Sequence, residues 1–123
     1  MTTHEQHAVL TLVIDMCFTP ETRDQAISVL TSCIGRTEAK QGCKECMVSQ
    51  DILVEEHVRY SEKWESESFF RRHVRSEDFR RVLLAMDMCS QEPRVAVGSV
   101  TGQEGLAQLE EWLKGPPGEE AYE

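Results

Sequence analysis

The stretch Tyr60–Phe79, YSEKWESESFFRRHVRSEDF, decides the fold that we predict for this chain. Its beginning alternates, because Val58, Tyr60, Glu62 and Trp64 fall on every second residue. That spacing places side chains on one face of a β-strand. After Trp64 the apolar residues recur at helical spacing instead. We therefore predict a strand that ends at Trp64 and passes almost directly into helix.

Two serines mark where helices begin after this strand. Ser66 and Ser76 suit the N-cap position, where a hydroxyl accepts hydrogen bonds from free backbone N–H groups. We predict a broken helix over residues 66–74 and 76–90, with apolar positions at three- and four-residue steps. These positions are Phe69, Phe70, His73 and Val74 in the first piece, and Phe79, Val82, Leu83 and Met86 in the second.

The rest of the chain follows the same two spacings. With the strand that ends at Trp64, which covers residues 56–64, we predict strands at residues 8–16, 43–50 and 94–100, and further helices at 20–40 and 102–114. The order β-α-β-β-α-β is the split pattern of a ferredoxin-like α+β fold with a four-stranded antiparallel sheet, here followed by a short C-terminal helix. Residues 1–114 form a single domain, and residues 115–123 are expected to be a disordered tail.

A four-stranded sheet with its helices on one face leaves the other face uncovered. The residues predicted to point toward that face are apolar enough to need a partner. We therefore expect a homodimer that packs sheet against sheet.

Charge and hydropathy exclude several classes of partner. The chain has 123 residues and a formal net charge of −9, from 22 acidic and 13 basic residues, so nucleic acid phosphates would be repelled. The longest apolar run, Val82–Met86, is far shorter than the roughly 18 residues of a membrane span. The N-terminal residues do not resemble a signal peptide. We expect a cytoplasmic protein that binds neither nucleic acid nor membrane.

The five cysteines are scattered, and we interpret them as reduced, mostly buried side chains. Cys43 and Cys46 form a CxxC motif, which could be a redox dithiol or half of a zinc site. No second ligand pair has suitable spacing. Within a strand, a separation of three residues is expected to point the two thiols to opposite faces. We therefore favour a structural role for both.

Tyr60, Trp64 and His73 form the first candidate site. If strand 56–64 turns them toward the helices, they line a pocket between sheet and helix, together with Phe69 and Phe70. Such a pocket suits a flat aromatic ligand held by stacking, with His73 accepting or donating a proton. The alternative is that the aromatic residues belong to the core and His73 is a partly exposed helical histidine.

Two further groups of charged residues allow two interpretations each. Asp15, near the end of the first strand, is either a base at the rim of this pocket or a residue in solvent. Five arginines could bind an anionic ligand, or could form a solvated helix face that pairs with nearby acids or a dimer partner. They are Arg71, Arg72, Arg75, Arg80 and Arg81.

An ordered set of residues resembles the signature of the antibiotic biosynthesis monooxygenase family. The set is Glu62-x-Trp64, Ser66, Phe70, His73, Ser76 and Phe79. Gly42-Cys43 is similar to the turn before the second strand of the family, with Gln41 in place of a proline. The resemblance extends over residues 8–100. It implies a ferredoxin-like protomer and a dimeric α+β barrel.

For some members, the resemblance also implies oxygenation of a small aromatic or quinol-type substrate by molecular oxygen, without a metal or flavin cofactor. His73 would assist proton transfer and Trp64 would stack on the substrate. The substrate-binding residues would be Tyr60, Glu62, Phe69, Phe70 and Asp15. Haem degradation is not expected, because the chain lacks asparagine and its Val82–Met86 helix segment lacks histidine.

Two other interpretations remain open. The protein could be a non-catalytic small-molecule-binding or stress-response module with the same fold. It could also be a purely structural dimer whose aromatic cluster is core.

Overall fold

The computed structural model describes residues 8–101 and 104–115, which form nine elements of secondary structure. Residues that alternate in polarity form its strands, and residues with apolar groups at helical spacing form its helices. The strands are β1 (Ala8–Cys17), β2 (Cys43–Gln50), β3 (His57–Trp64) and β4 (Arg94–Thr101). The helices are α1 (Pro20–Thr31), α2 (Ile34–Glu38), α3 (Glu67–Val74), α4 (Glu77–Asp87) and α5 (Glu104–Lys114). The disorder predicted for residues 115–123 falls, beyond Gly115, outside the described residues.

The four strands form one antiparallel sheet in the order β2-β3-β1-β4. β2 and β3 pair as the predicted hairpin, and β1 lies between β3 and β4. This topology confirms the ferredoxin-like α+β fold. It also places β3, which carries the candidate residues, in the interior of the sheet.

The core lies between one face of this sheet and the helices. Leu12, Ile14 and Met16 of β1 point to that face and are almost fully buried. Buried side chains from α1 and α4 cover them, among them Leu30 and Val82. The period-2 pattern of the strands and the helical stripes therefore meet in one apolar layer.

The helix predicted over residues 20–40 is divided into α1 and α2, so the single-helix prediction is wrong. The division occurs at Ser32-Cys33, where Cys33 leaves helical geometry with φ −112° and ψ 3°. The Ser32 hydroxyl donates to the Val29 carbonyl oxygen at 2.7 Å. A serine that bonds to a carbonyl in the preceding turn competes with helix continuation. The first helix therefore ends here, and α2 begins as a separate helix at Ile34.

The two predicted serine caps differ in the structure. Ser76 precedes α4, and its hydroxyl accepts a hydrogen bond from the Phe79 N–H. Ser66 occupies the N-cap position of α3 with extended backbone, but its side chain makes no capping bond. Its hydroxyl lies 3.2 Å from that of Ser68 instead. Both positions nevertheless begin a helix, as predicted.

A β-bulge in β2 changes the orientation of the CxxC motif. Cys43 lies opposite Trp64, and Cys46 lies opposite Glu62, with the register shift between them. The bulge adds one residue to β2, so both cysteines share the face that Trp64 and Glu62 occupy. The prediction that their thiols point to opposite faces is therefore wrong. All five thiols are free.

The opposite face of the sheet and the terminal helix carry exposed apolar groups. Val13 is near the centre of that face, where it lies opposite Ser61 and Ala96. On α5, all four large apolar side chains are more than half exposed: Leu106, Leu109, Trp112 and Leu113. Among the described residues, no helix combines the length and apolar character that crossing a membrane requires.

Candidate functional site

A buried carboxylate is at the centre of the candidate site. The alternation of β3 turns Tyr60, Glu62 and Trp64 toward the helices, and Glu62 is 0% exposed. A carboxylate removed from water in this way is tolerated only when hydrogen-bond donors surround it.

Three side chains provide those donors. Trp64 donates from Nε1 to Glu62 Oε1 at 2.8 Å. Tyr60 donates its hydroxyl proton to Glu62 Oε2. His73 Nε2 lies 2.9 Å from the same Oε2 atom. Two of the three donors stand two residues before and after Glu62, so the strand itself sets their positions.

The imidazole of His73 joins this carboxylate to Lys40. His73 is 2% exposed, and its Nδ1 atom lies 2.9 Å from Lys40 Nζ. Lys40 Nζ also contacts Ser76 Oγ at 3.0 Å and Asp78 Oδ2 at 3.2 Å. Arg36 then pairs with the other Asp78 oxygen at 2.8 Å. A continuous row of polar contacts therefore runs from the core to the surface.

Aromatic rings enclose the imidazole. The ring centroids of His73 and Trp64 are 4.9 Å apart with an interplanar angle of 33°. Phe79 meets His73 edge-on at 5.4 Å. Phe70 packs at 6.5 Å from Trp64. The histidine therefore has apolar neighbours around its ring and polar partners at both nitrogens.

Phe69 covers the turn that leads into β2. Gly42 in this turn has φ +89°, and a Cβ built on it would overlap the Phe69 ring. Only glycine fits such a close approach with this backbone conformation. The contact fixes the start of α3 against the turn that carries Lys40.

Burial changes the acidity of two groups beside Glu62. It raises the pKa of the Tyr60 phenol well above its ordinary value, and the charge of Glu62 adds to the effect. Burial also raises the pKa of the Cys46 thiol to about 12, although its hydrogen bond to Tyr60 Oη, at 3.3 Å, opposes the increase. Tyr60 therefore stays protonated and acts as a donor. The Glu62–His73 pair provides the proton acceptor of this cluster.

The structure brings together most of the residues predicted from the sequence. Tyr60, Glu62, Trp64 and His73 are in direct contact, and Phe70 packs beside them. The alternative is half right: Tyr60 and Trp64 are buried in the core, as it expected, but His73 is buried beside Glu62 and is not partly exposed.

Asp15 does not lie with this cluster. It points to the opposite face of the sheet, where Arg59 binds its two carboxylate oxygens at 2.7 and 3.3 Å. The expectation that Asp15 borders the same pocket is therefore wrong. Its odd position in β1 separates it from Leu12, Ile14 and Met16, which face the helices.

Sequence reasoning missed Lys40 and Asp78. Both are charged residues near helix ends, and nothing in their spacing connects them to His73. Lys40 lies 33 positions before the histidine that it contacts. Only the packing of the α2–β2 turn against the start of α4 brings them together.

An open cavity in the described part of the chain lies away from the Glu62 cluster. The predicted pocket between β3 and α3 is filled, since Tyr60, Glu62, Trp64 and His73 themselves occupy the space. An open cavity of about 630 Å³ is found instead at the end of the sheet. Its lining includes Asp15, Cys17, His57, Arg59, Glu92 and Arg94.

Two of the five clustered arginines contact neighbours on the surfaces of the helices. Arg71 pairs with Glu67 at 2.8 Å on the surface of α3, and Arg81 contacts Ser32 Oγ at 3.4 Å. Among residues 8–101 and 104–115, no three His, Cys, Asp or Glu side chains are grouped to hold a metal ion.

Solved structures with the same fold come from several organisms. A conserved protein from Methanosarcina mazei Go1 has a TM-score of 0.70 and 21% identity, over 77% of this chain and 95% of that one. An antibiotic biosynthesis monooxygenase has a TM-score of 0.67 and 20% identity, over 74% and 97%. A protein from Bacteroides thetaiotaomicron VPI-5482, called a possible oxidoreductase, has a TM-score of 0.70 and 13% identity, over 76% and 99%.

At identities this low, the structural likeness shows that the fold is shared. No curated protein sequence matches the chain. The sequence pattern of one family, antibiotic biosynthesis monooxygenase, matches residues 9–83. That match spans more than half of the chain, and the protein therefore belongs to the antibiotic biosynthesis monooxygenase family.

Proposed function

We propose that this protein is a cofactor-independent monooxygenase that oxidises a small aromatic or quinol-type substrate with molecular oxygen. The observation that carries the proposal is the buried Glu62–His73 pair beside the indole of Trp64. A carboxylate paired with an imidazole in apolar surroundings can remove a proton from a weakly acidic phenol or its ring methylene. Family membership and the names of two structural neighbours support the same class of reaction.

The reaction needs only the substrate and oxygen. Deprotonation gives a delocalised carbanion, which supplies electrons to oxygen. For a hydroxyanthrone, the ring CH₂ becomes C=O, one oxygen atom enters the product and the other leaves as water. The substrate provides all the electrons. The protein binds the ring, accepts the proton on the Glu62 carboxylate that His73 orients, and excludes water.

Substrate access requires side chains of α3 to move. Trp64 and His73 are almost fully buried, so a ring can stack on Trp64 only when aromatic side chains of α3 rotate aside while His73 keeps its contact with Glu62. α3 is eight residues long and is bounded by the caps Ser66 and Arg75. Its Phe69 and Phe70 are half-buried and would line the opening.

Oxygen uptake tests this function. We expect the wild-type protein to consume oxygen with one or more members of a panel of quinols and hydroxyanthrones. His73→Gln should lower kcat by about 100-fold or more, because it removes the imidazole that orients the Glu62 carboxylate, and general base catalysis contributes at least that much. His57→Gln is the matched control, since His57 is exposed at the other end of β3, and it should leave kcat unchanged. Absence of oxygen uptake with every substrate would contradict the proposal.

A second candidate function is non-catalytic binding of a small molecule. The open cavity at the end of the sheet favours it, because it is accessible without movement and carries the arginines Arg59 and Arg94. Thermal shifts with small carboxylates and phenols would separate the two functions. A shift abolished by Arg94→Ala but retained in Trp64→Phe would place the ligand in the open cavity and favour the binding module.

We also propose that the protein is a homodimer in which the uncovered faces of two sheets pack together. Small or apolar residues at the centre of that face, among them Val13, Ala96 and Gly98, permit close approach. Charged residues toward its edges, including Lys63 and Glu45, form an ion pair at 3.2 Å.

A further inference from the structure

Lys40 has an acceptor for each of its three ammonium protons. They are His73 Nδ1 at 2.9 Å, Ser76 Oγ at 3.0 Å and Asp78 Oδ2 at 3.2 Å. The Ser76 hydroxyl donates its own proton to the His73 carbonyl oxygen at 2.6 Å, so its oxygen is free to accept. The carboxylate of Asp78 accepts only. The ammonium group is therefore fully hydrogen-bonded in this position.

This arrangement determines which nitrogen of His73 carries the ring proton. An ammonium group donates hydrogen bonds and cannot accept one. His73 Nδ1 must therefore present its lone pair to Lys40, and the neutral ring carries its proton on Nε2. That proton points at Glu62 Oε2, 2.9 Å away.

The opposite tautomer conflicts with both neighbours. A proton on Nδ1 would face the ammonium protons of Lys40 at a nitrogen–nitrogen distance of 2.9 Å. The lone pair of Nε2 would then face the Glu62 carboxylate. Tyr60 and Trp64 already direct their protons to that carboxylate. One assignment of protons satisfies every contact in the cluster.

We propose that Lys40 is a positioning residue that keeps Nδ1 of His73 unprotonated while Glu62 holds the ring proton on Nε2, and thereby orients the proton-accepting pair. Its role in catalysis rests on the proposed function, whereas its effect on the tautomer does not. Lys40 acts through His73 and does not touch the substrate. Its side chain is 28% exposed, so it also links the buried pair to the protein surface.

Nuclear magnetic resonance of protein containing ¹⁵N-labelled histidine tests the tautomer directly. The chain has four histidines, and His73→Gln identifies the signals of His73. At neutral pH we expect long-range ¹H–¹⁵N correlations with a protonated Nε2 and an unprotonated Nδ1. A protonated Nδ1 in the wild-type protein would overturn the proposal without any variant of Lys40.

Variants of Lys40 test its part in setting the tautomer. Lys40→Met should let Nδ1 carry a proton in part of the molecules, because no ammonium group then faces that nitrogen, whereas Lys40→Arg, which keeps a cationic donor, should keep Nδ1 unprotonated. Lys44→Met changes an exposed lysine nearby and should leave the His73 signals unchanged. Signals of His73 that are the same in Lys40→Met and wild type would also overturn the proposal.

Kinetics separate this inference from the proposed function. With an active substrate, Lys40→Met should lower kcat by about 100-fold while KM changes little. A proton on His73 Nδ1 impairs proton transfer more than it impairs substrate binding. If the wild-type protein consumes no oxygen but His73 holds the Nε2–H tautomer, the proposed function fails and the role of Lys40 stands. If kcat falls with the tautomer unchanged, the positioning role is wrong.

Discussion

Glu62 accepts hydrogen bonds from three side chains with one carboxylate, and no water is needed to satisfy it. An ionised group in this setting contributes to the stability of the fold through the hydrogen-bond donors that it satisfies as much as through its own charge. Removing the charge leaves buried donors that have no other acceptor.

Glu62→Gln should therefore lower the free energy of unfolding by about 3 kcal/mol. In either orientation, the amide NH₂ of glutamine would face a donor where a carboxylate oxygen now accepts, either Trp64 Nε1 or both Tyr60 and His73. Urea unfolding measures the change, and Glu65→Gln, at an exposed position on the same strand end, should alter stability by less than about 0.5 kcal/mol. Equal stability of the two variants would show that the network contributes little.

Asp78 makes stability depend on pH. Burial tends to raise the pKa of this carboxyl, but hydrogen bonds from Arg36 and Lys40 outweigh it and hold the pKa below its ordinary value of 3.8. A pKa that is lower in the folded state stabilises the protein above the unfolded value and loses that contribution as pH falls through the folded one.

Asp78→Asn should accordingly cost about 1 kcal/mol at pH 7, and the deficit should shrink once the pH falls below 3.8. Unfolding free energies of wild type and variant at pH 7, 4 and 3 provide the comparison. A deficit that stays constant over this range would mean that ionisation of Asp78 is unimportant.

At the scale of elements, the regular spacings were predictable and the long-range contacts were not. The period of two in β3 is a local property, so it correctly placed Tyr60, Glu62 and Trp64 on one face. The bulge in β2 depends on pairing with β3, and the contact of Lys40 with His73 depends on how α2 and α4 pack. Neither leaves a repeated pattern in the sequence.

The junction between the α2–β2 turn and α3 can be tested at Gly42. Gly42→Ala should lower stability by about 2–4 kcal/mol, because its φ is +89° and the new Cβ would overlap Phe69. Thermal or urea unfolding measures this loss in the free energy of unfolding.

Two further variants divide that cost. Adding Phe69→Ala to Gly42→Ala should remove the steric part and leave the backbone part, so the two changes should be strongly non-additive. Gly35→Ala, in α2 with open space around it, should be neutral or stabilising by up to about 1 kcal/mol. Additive effects of the Gly42 and Phe69 changes would contradict the proposed contact.

For the whole molecule, the central question is what covers the second face of the sheet. We expect light scattering to give a mass twice the 14.1 kDa of one chain. Val13→Asp places a charge at the centre of that face and should yield monomers, since an unpaired charge in an apolar interface is costly.

The matched control is Val97→Asp. Val97 lies on the neighbouring strand but shares the helix-side face of Leu12, where it is 55% exposed. The Val97→Asp variant should leave the mass from light scattering unchanged. A wild-type monomer, or dissociation by Val97→Asp alone, would rule out packing through the uncovered faces.

The three donors around Glu62 also limit how related sequences can diverge. A change of Glu62 to an apolar residue leaves the protons of Tyr60, Trp64 and His73 without an acceptor at once. Such a change is compatible with a stable fold only when those positions change with it. We therefore expect these four positions to be inherited or replaced together among homologues, with Lys40 following His73. Single exchanges should be rare in natural lineages, whereas the exposed residues between them should vary independently.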